Sequence, residues 1–129
     1  MALTLQLADP EGNFLPESYA ILDEELLEYL AGLSAFPTLR SFGELSSEEK
    51  PIEEAVREAL AREAVEMAEL VKRRAVPEPP GWVGLEGTGD IRLGEEFGWE
   101  GLLGFLRRLE HLVHLARTMG LELWALPDE

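Results

Sequence analysis

The chain has 129 residues, no cysteine, 46% apolar residues, and 26 Asp and Glu against 11 Lys and Arg, a formal net charge of -15. That balance argues against direct contact with nucleic acid or an anionic membrane, where Lys and Arg must displace counterions, and it suits a partner with a basic surface. The missing thiols remove disulfides, thiolate zinc sites and cysteine nucleophiles, while the apolar fraction is too high for charge-driven disorder and the length suits one domain, 1–129.

Leu3, Leu5 and Leu7 alternate with Thr4 and Gln6, which predicts a strand over 2–7 with one buried face, closed by the turn formers Asp9-Pro10-Glu11-Gly12-Asn13. The same opening residues lack the basic start and continuous apolar run of a signal peptide, so a cytoplasmic location is expected. Asp23 has the character of a helix N-cap, with Glu24 and Glu25 in the positive first turn and Leu26, Leu27, Leu30 and Leu33 as the buried stripe. Phe36, Leu39 and Phe42 recur every three residues between Pro37 and Gly43, which predicts an irregular helical turn.

A long helix is expected from Ser46 or Ser47, with Pro51 in its first turn, to about Arg74, ahead of Pro77. Ile52, Val56, Leu60, Ala64, Met67 and Val71 form its apolar face, and Glu53 with Arg57, Glu58 with Arg62 and Glu69 with Arg73 form i,i+4 pairs on its outer face. Val76-Pro77-Glu78-Pro79-Pro80-Gly81 then reads as a stiff connector. Val83 and Leu85, a Gly-rich turn, and Ile91 and Leu93 predict a hairpin over 82–86 and 90–94. Another long helix, 96–119, buries Trp99, Leu102, Leu103, Leu106, Leu109, Val113 and Ala116, and Gly120 stops it as a left-handed C′ residue. The apolar run 121–126 reads as a strand buried on both faces, completing a βαβ unit with 91–93. The expected fold is α+β, a small mixed sheet packed against two long amphipathic helices with a C-terminal hairpin-helix-strand unit.

Candidate chemistry is sparse. His111 and His114 lie three apart on a helix, a spacing that seats a metal, but Arg107, His111, His114 and Thr118 share one polar stripe, the pattern of a solvated face. Gly84-Leu85-Glu86-Gly87-Thr88-Gly89 has the glycines of a phosphate cradle without its Lys-Ser or Lys-Thr, and Glu86 and Asp90 would repel a phosphate, so it reads as a turn. No serine lies in a G-x-S-x-G elbow. Glu24-Glu25-Leu26-Leu27-Glu28 resembles the EExxE helix motif of the MazG-like all-α nucleotide pyrophosphohydrolases. The resemblance implies a magnesium-dependent hydrolase in which Glu24, Glu25 and Glu28 hold metal with Glu63 and Glu66, or Glu66 and Glu69. The chain departs from that family in carrying Glu where the second motif ends in Asp, and in its β-type segments at both ends.

The sequence therefore points to a non-catalytic acidic protein-binding module or inhibitor, immunity-like or adaptor, with no cofactor. Asp23, Glu24, Glu25, Glu28 and Trp82 are its candidate contact residues, Trp82 being the tryptophan expected to be exposed. A metal-dependent nucleotide hydrolase using Glu24, Glu25, Glu28, Glu66 and Glu69 is the alternative from another class, and a self-associating subunit, such as a homodimer built on the second long helix or the last strand, is a third. Two lysines against nine arginines, with abundant Leu, Glu, Ala, Gly and Pro, fit a bacterial chain from a GC-rich, heat-adapted source.

Overall fold

A computed structural model describes residues 2–22, 24–42, 49–79 and 98–128. In chain order it contains β1 (Ala2–Ala8), β2 (Phe14–Leu22), α1 (Glu24–Ala31), α2 (Pro37–Arg40), β3 (Lys50–Pro51), α3 (Glu54–Lys72), α4 (Gly98–Met119) and β4 (Glu122–Asp128). The fold is α+β. The four strands form one sheet in the order β2-β1-β4-β3, and each neighbouring pair is antiparallel. The parallel βαβ pairing expected of the last strand rests on 91–93, and with the hairpin 82–86 and 90–94 it lies outside the described residues.

Alternation decides which side of the sheet is dry. Leu3 pairs with Leu22 and Pro127, Leu5 with Ala20 and Ala125, and Leu7 with Leu123, and cross-strand partners share a face. Leu3, Leu5, Leu7, Ala20, Leu22, Leu123 and Ala125 are fully buried there. They meet the inner faces of the helices in one continuous core that also takes in Leu26 and Leu30 of α1, Leu60 and Met67 of α3, and Phe105 and Leu109 of α4. α3 and α4 run antiparallel: Glu58 near the start of α3 pairs with Arg117 near the end of α4, and Arg74 just past α3 lies over the ring of Trp99 at the start of α4.

Several boundaries differ from the sequence expectation. The segment 14–22, to which periodicity assigns nothing, is the longest strand among the described residues: its last four residues, Tyr19 to Leu22, are apolar on both faces, and Pro16, Glu17 and Ser18 interrupt any alternation before them. Pro51 belongs not to a first helical turn but to β3, where it pairs with Trp124, and α3 begins only at Glu54. The end of α3 is set before Pro77 by Arg74, held at φ 52° while Ala75 N–H reaches back to the Leu70 carbonyl at 2.8 Å. The final strand is buried on one face and half-exposed on the other, not dry on both. Gly120 does adopt the expected left-handed conformation at φ 66°, and Leu121 N–H closes the cap on the Ala116 carbonyl at 3.0 Å. Phe36, Leu39 and Phe42 are all buried, as a helical turn with three-residue spacing requires.

Local side-chain pairing also departs from expectation. Arg57 turns from Glu53 to donate from Nη1 to the Leu121 carbonyl at 3.3 Å, and Glu58 receives Arg117 on both oxygens, at 2.7 and 3.1 Å. Both residues thus tie α3 to the end of α4 in place of the i,i+4 pairs read from the sequence. Glu69 does stay local, but with Lys72 at 3.3 Å as its ion-pair partner.

Candidate functional site

The structure separates the candidate residues. Glu24, Glu25 and Glu28 are exposed on α1, Glu66 and Glu69 are exposed on α3, and His111 and His114 are exposed on α4. Asp23 and Trp82 lie outside the described residues. Among the described residues no three His, Asp or Glu side chains stand close enough together to hold a metal ion. The magnesium site implied by the pyrophosphohydrolase motif does not fit this arrangement, and no hydrolytic step is derived from it.

Glu63 has a different task from the one that motif implies. It is the one buried charged residue among those described, at 4% exposure, and its Oε1 accepts the backbone N–H groups of Thr38 and Leu39 at 2.9 and 3.0 Å. Those amides open α2, a four-residue helix whose own N-cap position, Phe36, offers no capping oxygen. A carboxylate from α3 therefore caps α2 from outside, satisfying amides that would otherwise be buried unpaired. Glu63 is thus buried and engaged with the opening of α2, whereas Glu66 is exposed on α3.

A cleft of about 480 Å³ opens where the start of α3, the end of α4 and the β3–β4 end of the sheet meet. Ile52, Val113 and Leu121 line it together with Glu53, Arg57 and Glu122. Both of its cations, Arg57 and Arg117, are engaged within the fold. A second, shallower cleft of about 300 Å³ continues along the α3–α4 seam past Val65 and His114. Among the described residues the first is lined by carboxylates, guanidinium groups and apolar side chains, with no hydroxyl, thiol or imidazole.

The other feature that sequence reasoning missed is the outer face of the sheet. Thr4 sits between Ile21 and Leu126, and Gln6 between Tyr19 and Trp124, with Pro51 beside Trp124 on the far strand. Phe14 stands edge-on to Trp124 at 5.9 Å between ring centroids and is 42% exposed. The indole Nε1 of Trp124 is buried, with no hydrogen-bond partner among the described residues. Tyr19 and Ile21 alternate with Ala20 and Leu22, so the stretch 19–22 is apolar on both faces and the period of two is hidden there in the sequence. The register, not the composition, shows that this face is aromatic.

Comparisons with known proteins supply no relative: no family model, curated protein or solved structure matches the chain. Among the described residues no helix is long and apolar enough to cross a membrane.

Proposed function

We propose that this chain is a non-catalytic acidic binding module, an inhibitor or adaptor, that engages a protein with a basic surface. The observation that supports it is the outward spread of the carboxylates: Glu24, Glu25 and Glu28 on α1 and Glu66 on α3 stand exposed in a chain of net charge -15. Carboxylates that serve hydrolysis converge on one metal; carboxylates that serve recognition face solvent and set the long-range field that steers a basic partner. α1 is the centre of this reading. The first 50 residues carry ten acidic against two basic side chains, and α1 presents three of those carboxylates on one two-turn helix.

The test is purification of the tagged protein from its host at low salt, identification of a stoichiometric partner, and repetition with Glu24→Lys, Glu25→Lys and Glu28→Lys combined. A basic partner lost at high salt, with an association rate lowered at least tenfold by the triple reversal, supports the reading. Recovery of the bare protein, or release of phosphate from nucleoside triphosphates in the presence of magnesium, overturns it.

A further inference from the structure

We infer that the cleft between the start of α3, the end of α4 and the β3–β4 end of the sheet seats an arginine side chain of a basic protein partner, whose adjoining apolar residues lie on the aromatic outer face of the sheet. The inference rests on the acidic binding reading and gives it a second contact. That contact is separate from α1, because the cleft lies at the β3 edge of the sheet and β2, the strand leading into α1, forms the opposite edge.

Charge selects the guest. Four carboxylates, Glu53, Glu54, Glu58 and Glu122, line the cleft against two guanidinium groups. Arg117 is held by both oxygens of Glu58, and Arg57 donates to the Leu121 carbonyl, so the fold fixes each of them. Setting Arg117 against Glu58 leaves three carboxylates facing Arg57, an excess of negative charge that a cation relieves and an anion aggravates. The start of α3 and the end of α4 bring opposite dipole ends to the cleft, so the carboxylates set its sign. A bare metal ion fits poorly, since among the described residues no three acidic or imidazole side chains stand close enough to hold one. Ile52, Val113 and Leu121 add an apolar lining, which suits a cation carried on an apolar stem.

Continuity with the sheet extends the contact beyond one side chain. Pro51 lines the cleft and stands beside Trp124 across the β3–β4 pair, and Glu122, two residues before Trp124 on β4, shares its face. Phe14, 42% exposed, stands edge-on to Trp124. Residues next to an arginine in the cleft therefore come to rest over an aromatic surface. Arginine suits this place better than lysine, because its planar, weakly hydrated guanidinium pairs with carboxylates on two atoms and stacks on aromatic rings. The cleft volume of about 480 Å³ falls within the roughly 300–1,000 Å³ of ligand pockets and admits the whole side chain.

The probe is the peptide acetyl-Ala-Leu-Arg-Leu-Ala-amide, titrated into the ¹⁵N-labelled full chain and followed by amide chemical shifts. Saturable shifts are expected at 52–57, at 121–124 and at the Trp124 indole N–H. The dissociation constant should rise at least tenfold between about 20 mM and about 500 mM NaCl. The same peptide with Glu in place of Arg should give no saturable shift. Glu53→Lys combined with Glu122→Lys, checked for folding by far-UV circular dichroism, should weaken binding at least tenfold, and Glu24→Lys, Glu25→Lys and Glu28→Lys combined by less than about threefold. No saturable binding, binding that withstands salt, equal binding of the Glu peptide, or a larger effect of the α1 variant would each overturn the inference. The wild-type shift map and salt series decide by themselves if the double reversal fails to fold. Shifts centred on α1 would remove the cleft and leave the acidic binding reading standing, whereas failure of that reading shows as the absence of a basic partner in the purification.

Discussion

Glu63 shows how a residue whose type suggests chemistry can be explained by backbone bookkeeping. Its carboxylate is buried at 4% exposure and holds the opening amides of α2 with bonds of 2.9 to 3.1 Å. Removing a partner of buried donors costs more than the net worth of the bonds, because the donors stay dry and unpaired. Glu63→Ala should lower the unfolding free energy by about 2–3 kcal/mol in urea titration, and Glu63→Gln, which keeps one acceptor oxygen, by less. The sequence could not reveal this. Glu63, Glu66 and Glu69 are equivalent as letters, and only the docking of α2 onto α3 tells the first from the other two. Tyr29 is a second case. Its hydroxyl donates to the Pro77 carbonyl at 2.6 Å, tying the segment after α3 to α1, and burial pushes its phenol up to about 12. A group whose folded pKa lies above its unfolded value contributes stability that is present below pH 10, the unfolded value, and lost as pH rises through 12. Absorbance titration at alkaline pH should show a late phenolate step that disappears in Tyr29→Phe.

At the scale of elements, the readable parts are those with one apolar and one polar face. β1, α1, α4 and the central part of α3 fall where their periods place them, because each buries a single stripe and exposes polar side chains opposite. β2 and β3 escape that reading. In β2 the stretch 19–22 is apolar on both faces and Pro16, Glu17 and Ser18 break the alternation before it, and β3 is two residues long, fixed by its pairing with Ala125 and Trp124 of β4. Helix ends are legible when the device is chemical. Gly120 marks the end of α4, whereas Arg74 performs the same left-handed turn after α3 with no signal in its side chain. At Gly120 an added Cβ would meet no atom within 4 Å, so the cost of Gly120→Ala is conformational alone. That substitution should destabilise by about 1 kcal/mol, the penalty of a β-carbon in the left-handed region, measured as a lowered urea midpoint at unchanged slope. A much larger loss would mean that β4 depends on the exact path of the chain leaving α4.

Across the whole molecule, charge is the most legible property, yet it does not say which face is used. The count of 26 acids against 11 bases gives the sign of the field, while the fold decides that α1 carries its carboxylates outward and that Glu63 of α3 is buried. The same imbalance acts on folding. The ion pairs Lys72–Glu69 and Arg117–Glu58 are half-exposed, and such pairs are worth about 0–1 kcal/mol each. Salt weakens both, but it also screens the mutual repulsion of an anion carrying -15, which opposes compaction through many pairs at once. Repulsion should win. The thermal midpoint is therefore expected to rise by several degrees between about 10 mM and about 500 mM NaCl, followed by far-UV circular dichroism. A falling midpoint would mean that attractive pairing outweighs net repulsion. In that case the -15 is distributed among compensating neighbours rather than displayed as a field, and the case for recruiting a basic partner at long range would go with it.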